Sequence, residues 1–181
     1  MDKLSEKLLS SKRIFDGRLL GLRVDTVEMP GGITSTREVV EHPGAVAVVA
    51  LTADNKLVLV RQFRTPTGEV VLELPAGVPD QNEKGEDAAR RELQEETGYY
   101  AKTVTKIWQG YASPGYSNEQ IQFFLAQELE LRQQSPDEDE FVEVELIDLE
   151  KCLALIKSGG IRDNKTFIGV MIADLCRKGE L

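Results

Sequence analysis

Residues 77–99 read Gly77-Val-Pro-Asp-Gln-Asn-Glu83-Lys-Gly-Glu-Asp-Ala-Ala-Arg-Arg91-Glu92-Leu-Gln-Glu95-Glu96-Thr-Gly98-Tyr99, and this stretch is more informative than the rest of the chain. Glu95 and Glu96 follow Glu92 by three and four residues, a spacing that stacks the carboxylates on one face of an α-helix. Like charges so placed repel and weaken the helix, so a partner outside it has to compensate them. Mg²⁺ takes oxygen ligands and favours carboxylates together with substrate phosphates. The stretch therefore predicts a helical metal site that acts on a phosphorylated substrate.

Composition and charge narrow the class of protein. The 181 residues suit one domain with a small appendage, and the net charge of −9 argues against a general nucleic-acid or anionic-membrane binder. No run approaches the roughly 20 apolar residues of a membrane span, and the N-terminus lacks the apolar core of a signal peptide. His42 is the only histidine, so a histidine-rich zinc site and a Ser-His-Asp triad are poorly supported. We predict a cytoplasmic protein that binds neither nucleic acid nor membrane.

Turn residues divide the chain into two predicted parts. Residues 13–29 and 36–41 are predicted strands separated by a Pro-Gly-Gly turn, and together they favour a separate N-terminal sheet. A His-Pro-Gly sequence then marks a boundary, after which the pattern changes. The predicted domains are residues 1–42, a small β-subdomain, and residues 43–181.

In the larger part, predicted strands come first, and helices and strands are then mixed. Residues 45–51 form a continuous apolar run, as expected for a strand covered on both faces. Gly98 and Asp163 or Asn164 occupy helix-capping positions. The order of the elements predicts an α/β fold in which helices cover both faces of a mixed sheet. The other predicted strands are 56–63, 70–74, 103–109, 120–127 and 141–147, and the predicted helices run from about 84 or 86 to 97, from 149 to 158 and from 164 to 178.

The opening stretch resembles the Nudix box, the signature of hydrolases that cleave nucleoside diphosphates linked to another moiety. Tyr99 is the one departure, because the family usually has an aliphatic residue there, and we interpret it as a change in packing. The resemblance implies a Nudix α/β/α sandwich with an N-terminal β-subdomain. The positions in register are Gly77, Glu83, Arg91, Glu92, Leu93, Glu95, Glu96 and Gly98.

The resemblance also implies roles for these residues. Glu92 and Glu96 would be the main metal ligands, with Glu95 as a further ligand or support and the backbone carbonyl of Ala76 as another oxygen ligand. The cofactor would be Mg²⁺, with Mn²⁺ as an alternative, at two or three ions per site. Glu83 and Arg91 would join the loop to the helix through a salt bridge, and Gly77 and Gly98 would complete the motif. The alternative for the glutamates is a solvated acidic helix face.

A second acidic cluster supplies candidates for the general base. Relatives in the ADP-ribose pyrophosphatase branch take the base from a loop glutamate just ahead of the strand predicted at 141–147. Here Glu140 and Glu138 are the candidates, Glu140 being favoured because it adjoins that strand, and Glu95 is a third catalytic candidate. The alternative is a loop that is acidic only because it is solvated.

The substrate class follows from residues outside the box. Pro114 lies 15 residues after Tyr99, a distance that goes with ADP-ribose in the resembling branch, although an ordinary Pro-Gly turn is the alternative. Arg64 would bind the substrate's phosphates, and Arg37 and Glu38 would reach its adenine side, unless these arginines are plain surface charges.

The resemblance implies a homodimer with shared active sites, in which the N-terminal sheet crosses to the partner. The implied activity is Mg²⁺-dependent hydrolysis of ADP-ribose to AMP and ribose 5-phosphate. Another nucleoside diphosphate sugar or a dinucleotide is the alternative substrate. A non-catalytic nucleotide sensor is the alternative class, and the complete set of glutamates argues against it.

Overall fold

The computed structural model describes residues 3–136 and 140–181. Their strands and helices follow in the order β1 Lys7–Asp16, β2 Gly21–Glu28, β3 Thr34–Glu41, β4 Ala45–Ala50, β5 Lys56–Arg64, β6 Glu69–Glu73, β7 Ala76–Gly77, α1 Gly85–Thr97, β8 Tyr99–Tyr111, β9 Gln120–Leu131, β10 Val142–Asp148, α2 Leu149–Ser158 and α3 Asn164–Lys178.

The chain separates into two compact units. The first contains the residues up to Gly44 together with Tyr111–Gln120, and the second contains Ala45–Gly110 and Ile121–Leu181. Backbone hydrogen bonds tie the inserted segment to β3, since Val40 N–H donates to Tyr116 O at 2.8 Å. The sequence places residues 111–120 in the second domain, whereas these contacts group them with the N-terminal strands.

The first unit is built on a three-stranded antiparallel sheet in the order β1-β2-β3. The prediction of one strand over residues 13–29 is wrong. Gly17 N–H donates to Leu20 O at 2.9 Å, and this turn separates β1 from β2, which then run antiparallel. Every residue of β1 is exposed, although the strand carries four large apolar side chains.

The second unit contains two sheets. One is mixed, in the order β7-β4-β9-β8, with β4 parallel to β9 and antiparallel to β7. The other is antiparallel, in the order β10-β5-β6. The short β7 matters most for the site, because it holds Ala76 and Gly77 beside the central strand β4.

Strand β4 is buried on both faces, as its apolar run predicts. Val46 and Val48 pack in one cluster with Leu93 of α1. Ala47 and Val49 belong to a second cluster with residues of α2 and α3. The predicted mixed sheet with helices on both faces is therefore confirmed.

Local sequence signals explain where the helices end. Helix α1 stops at Gly98, which adopts φ 74° and donates its N–H to Gln94 O at 2.8 Å, a left-handed cap that glycine accepts without strain. Helix α3 begins after Asp163, whose carboxylate accepts the Thr166 N–H at 2.9 Å. The predicted bounds of α2 and α3 are confirmed. No helix among residues 3–136 and 140–181 combines the length and apolarity needed to cross a membrane.

Candidate active site

The C-terminal half of α1 presents two buried carboxylates. Glu92 is 8% exposed and Glu96 is 2% exposed, whereas Glu95 is only partly buried. Ala76 of β7 donates its backbone N–H to Glu96 Oε2 at 3.3 Å. The helix therefore directs acidic side chains towards the β7 backbone and not into open solvent.

Gly77 makes room for Glu92. A Cβ atom at residue 77 would lie 2.1 Å from the carboxylate carbon of Glu92, far inside van der Waals contact. Only glycine lets the backbone of β7 approach the carboxylate this closely, which gives a physical reason for the glycine at this position of the motif.

Arg91 holds the loop and the helix together. Its Nε and Nη2 donate to the two carboxylate oxygens of Glu83 at 3.0 and 2.9 Å, and Nη2 also donates to Val78 O at 3.3 Å. Its Nη1 donates to Glu92 and to Glu95, each at 2.9 Å. One guanidinium thus connects the loop before α1 to two of the acidic side chains on the helix.

Burial and mutual repulsion raise the pKa of the two buried carboxylates. Burial, followed by the charges of Glu140 and Glu92, raises the pKa of Glu96 to about 8. Burial also raises the pKa of Glu92 to about 7, although the charge and hydrogen bond of Arg91 oppose the rise. Glu140, which is half-buried, adds repulsion at both groups, so it lies close enough to share their electrostatic environment.

These carboxylates fit a hard divalent cation. Their donor atoms are all oxygens, and a cation would relieve the repulsion that raises their pKa. Across the described parts of the chain, however, no three His, Cys, Asp or Glu side chains already converge as ligands of one ion. Arg91 Nη1 donates to one oxygen of Glu92 and to one oxygen of Glu95, so the guanidinium holds these two carboxylates beside each other.

Arg64 lies close to the same acidic side chains, as shown by its pKa: a hydrogen bond to Glu73 raises it most, and the charge of Glu96 contributes to the rise. Its Nε and Nη2 donate to the two carboxylate oxygens of Glu73 at 2.7 and 2.8 Å. Lys165 of α3 also contacts Glu73. Sequence reasoning did not single out Glu73 or Lys165. A charged residue inside the predicted strand 70–74, immediately before the apolar Leu74, was the available signal.

The remaining predicted residues occupy other places. Arg37 lies in the N-terminal unit, where Nε donates to Glu6 at 3.1 Å and Nη1 donates to Thr36 O at 2.9 Å. Glu38 follows it on the opposite face of β3, because successive side chains of a strand alternate. Pro114 is exposed in a turn of the same unit.

Glu138 and Tyr99 were also singled out by the sequence. Glu138 lies outside the described residues. Tyr99 is half-buried and packs against the apolar cluster beneath α1, in agreement with its interpretation as a packing substitution.

Two family models match consecutive parts of the chain. Residues 41–167 match the NUDIX domain, and residues 6–40 match the nucleoside diphosphate sugar hydrolase N-terminal domain. The first match spans more than half of the chain and contains the whole acidic motif. The chain belongs to the Nudix family, whose members generally use a divalent metal ion.

The chain is similar in sequence to proteins with three different described activities. The chain is 45% identical to an ADP-ribose pyrophosphatase of Bacillus subtilis (strain 168), over 97% of this chain and 96% of the relative. It is 44% identical to a methanol dehydrogenase activator of Bacillus methanolicus, with 97% and 96% coverage. A GDP-mannose pyrophosphatase of Yersinia enterocolitica is 33% identical, with 79% and 80% coverage.

A solved structure supports the fold independently. The crystal structure of an ADP compounds hydrolase superposes with a TM-score of 0.85 and covers 97% of each chain. The two sequences are 22% identical, so this likeness bears on the fold alone. It confirms the predicted Nudix α/β/α sandwich.

Proposed function

We propose that this protein hydrolyses the pyrophosphate bond of ADP-ribose to AMP and ribose 5-phosphate. The observation that carries the proposal is the near full-length similarity, at 45% identity, to an ADP-ribose pyrophosphatase. The buried glutamates of α1 support the same chemistry, because they form an acidic site suited to a cation-assisted attack on phosphorus. We further propose that residues 1–42 form a substrate-contacting subdomain and residues 43–181 the hydrolase domain.

Glu92 and Glu96 are proposed as the principal ligands of Mg²⁺, with Glu95 and the Ala76 carbonyl beside them. Mn²⁺ is the alternative ion, and two or three ions would occupy each site. Bound ions of this kind neutralise the pyrophosphate and lower the pKa of the attacking water. Arg91 Nη1 holds Glu92 and Glu95 through hydrogen bonds, and Gly77 leaves the room that the Glu92 carboxylate occupies.

Glu140 is proposed as the general base. Its charge acts on both Glu92 and Glu96, so it lies close to the groups that would hold the cation. A carboxylate there can accept the proton of the attacking water and share its negative charge with the site. Glu138 is the alternative base in the same loop. Glu95 is the third candidate base; it is partly buried and accepts a hydrogen bond from Arg91 Nη1 at 2.9 Å.

Arg64 is proposed to bind the substrate's pyrophosphate. A guanidinium offers paired N–H donors that match phosphate oxygens. Glu73 accepts the hydrogen bonds of Arg64 Nε and Nη2. The third nitrogen, Nη1, has no hydrogen-bond partner among residues 3–136 and 140–181. Arg37, Glu38 and Pro114 are proposed to contact the adenosine portion of the substrate.

The protein is proposed to act as a homodimer. Strand β1 lies at the edge of its sheet, and every one of its residues is exposed. Exposed edge strands with large apolar side chains are prone to pair with another chain. A second copy of the chain would cover this surface and complete shared active sites. The exposed apolar side chains of β1 are Leu8, Leu9, Ile14 and Phe15.

Two relatives favour different candidate functions. Because a GDP-mannose pyrophosphatase is 33% identical to this chain, another nucleoside diphosphate sugar is a second candidate substrate. Because a methanol dehydrogenase activator is 44% identical to this chain, activation of a dehydrogenase is a second candidate function. A dinucleotide is a third candidate substrate, and a nucleotide sensor without catalytic activity is a third candidate function.

Product analysis with a substrate panel tests the proposal. Purified protein is incubated with ADP-ribose, GDP-mannose, ADP-glucose, NADH or a diadenosine polyphosphate, with Mg²⁺ or with a chelator. We expect AMP chiefly from ADP-ribose and only with metal. Faster cleavage of another compound would replace the substrate assignment. Binding of ADP-ribose without turnover would favour the sensor, and stimulation of a dehydrogenase without any nucleotide cleavage would favour the activator.

A further inference from the structure

Glu73 is a buried carboxylate that two cations share. Its side chain is 3% exposed, although it lies in β6, an edge strand of the second unit's antiparallel sheet. Arg64 of β5 donates two N–H hydrogen bonds to the Glu73 carboxylate, and Lys165 of α3 contacts the same carboxylate. The Lys165 side chain is 14% exposed, and its Nζ also lies 3.1 Å from Asp163 Oδ2. Burial alone would raise the pKa of Glu73, but the two cations together hold it below its usual range.

The two cations do different things for the carboxylate. Arg64 binds Glu73 through the edge formed by Nε and Nη2, a geometry that fixes the plane of the guanidinium. One arginine paired with one carboxylate carries no net charge, which would weaken its attraction for a phosphate. Lys165 supplies a second positive charge to the same carboxylate. Its Nζ also lies 3.1 Å from Asp163 Oδ2, so Arg64 and Lys165 together balance Glu73 and Asp163, and without Lys165 this group of side chains would carry a net charge of about −1.

Lys165 is not needed merely to attach α3 to β6. Thr166 Oγ1 already accepts the backbone N–H of Leu74 at 2.8 Å, a buried hydrogen bond between α3 and the residue that directly follows β6. Arg162, three residues before Lys165, pairs with Glu69 at the start of β6, and both of these side chains are exposed. A buried ion pair is a costly way to add a third connection, since the charges lose their hydration. The desolvation cost of the Lys165–Glu73 ion pair is better explained if Lys165 acts on Arg64 through Glu73.

We propose that Glu73 and Lys165 are positioning residues for Arg64: Glu73 fixes the orientation of the guanidinium, and Lys165 offsets the charge of Glu73 so that Arg64 stays electropositive towards the substrate's pyrophosphate. The inference rests on the proposed function, since it assigns Arg64 to a phosphate-bearing substrate. Arg64 is suited to this because its side chain is 41% exposed and its Nη1 is not used within the described parts of the chain.

The test compares Lys165→Met with Lys165→Arg and with the control Arg162→Met. Arg162 is a matched control because it is a cation of the same segment that pairs with the same strand. Steady-state kinetics with ADP-ribose and Mg²⁺ are measured together with the Kd of ADP-ribose in chelator. For Lys165→Met we expect KM and Kd to rise about tenfold while kcat falls less than about threefold. Lys165→Arg restores both within about threefold, and Arg162→Met leaves both unchanged.

A double-mutant cycle separates positioning from general stability. If Lys165 acts through Arg64, then Lys165→Met adds little to the effect of Arg64→Ala on Kd. The same tenfold effect in the Arg64→Ala background, or an unchanged KM and Kd in Lys165→Met, would overturn the inference. Lys165→Gln, which keeps a donor for Glu73 without the charge, replaces the Met variant if that variant does not fold. Absence of ADP-ribose turnover by the wild-type protein would instead count against the proposed function.

Discussion

Gly77 and Glu92 form the closest approach between β7 and helix α1. A methyl group at residue 77 would lie 2.1 Å from the Glu92 carboxylate carbon, so the side chain would have to move. For Gly77→Ala we expect kcat/KM to fall about a hundredfold, because displacing a catalytic group by about an ångström has effects of this size. Steady-state kinetics with ADP-ribose check the value.

The cause of that loss can be isolated with a second substitution. If Gly77→Ala acts by displacing Glu92, then adding it to Glu92→Gln lowers kcat/KM by less than about threefold further. A full additional hundredfold loss in the double variant would show that Gly77 acts on something other than Glu92.

The raised pKa of Glu96 predicts a pH dependence of stability. Its pKa is about 8 in the folded protein, chiefly through burial, against 4.5 for an unperturbed glutamate. The folded state therefore holds a proton that the unfolded state loses, and the contribution of Glu96 to stability is present below about pH 4.5 and disappears as pH rises through 8. In chelator, the Tm of the wild type should fall more between pH 6 and pH 9 than the Tm of Glu96→Gln. Parallel Tm curves would contradict the assigned pKa.

Residue-level prediction succeeded where partners lie close together in the sequence. Glu83 and Arg91 are eight residues apart in one motif, and the structure joins them at 2.9 Å. Glu73 and Lys165 are 92 residues apart, and no local sequence pattern predicts their contact. The position of Arg64 near Glu96 likewise depends on packing between elements, so the sequence could suggest a role for Arg64 but could not supply its partner.

At the scale of elements, helix α1 depends on Gly98. This residue has φ 74°, and a Cβ there would lie 3.0 Å from Arg132 O. Gly98→Ala should lower the free energy of unfolding by about 1–2 kcal/mol, the cost of a left-handed conformation for a residue with a side chain. Gly98→Asn should cost less, because asparagine tolerates this conformation better. Chemical denaturation measures both values, and an asparagine variant less stable than the alanine variant would contradict the capping explanation.

Helices were easier to predict than strands for a physical reason. Capping residues such as Gly98 and Asp163 act within one turn of the chain, so they are visible in the sequence. Strand limits depend on neighbours. Strands β8 and β9 extend past their predicted ends, where Lys102 pairs with Glu130 at 2.5 Å and Thr103 bonds Glu128 at 2.7 Å. These polar cross-strand pairs show no apolar alternation. The turn between β1 and β2 is different, because Asp16-Gly17 is a hairpin signal that the prediction of one strand over residues 13–29 overlooked.

At the scale of the whole molecule, the exposed strand β1 predicts self-association. Leu8 pairs with Val27 and Phe15 with Leu22, positions an odd number apart on β2, so Leu8 and Phe15 lie on opposite faces of the sheet. Light scattering should give the wild type twice the mass of one chain. At least one of Leu8→Lys and Phe15→Lys should give a monomer, and the affected variant identifies the buried face.

A matched control makes the dimer experiment specific. Ser10 is an exposed polar residue of the same strand, and Ser10→Lys adds the same charge without removing apolar surface. A monomeric wild type, or an equal loss of mass in the Ser10 variant, would contradict an apolar interface on β1.

The most direct measurement is the rate of AMP release from ADP-ribose by the wild type, Glu96→Gln and Glu86→Gln, with and without Mg²⁺. Glu86 is the control because it is an exposed carboxylate in the first turn of the same helix. We expect metal-dependent release by the wild type and by Glu86→Gln, and a rate at least about a hundredfold lower for Glu96→Gln. Near-normal release by Glu96→Gln, or undiminished release by the wild type in chelator, would contradict a metal-dependent hydrolase centred on the buried glutamates of α1.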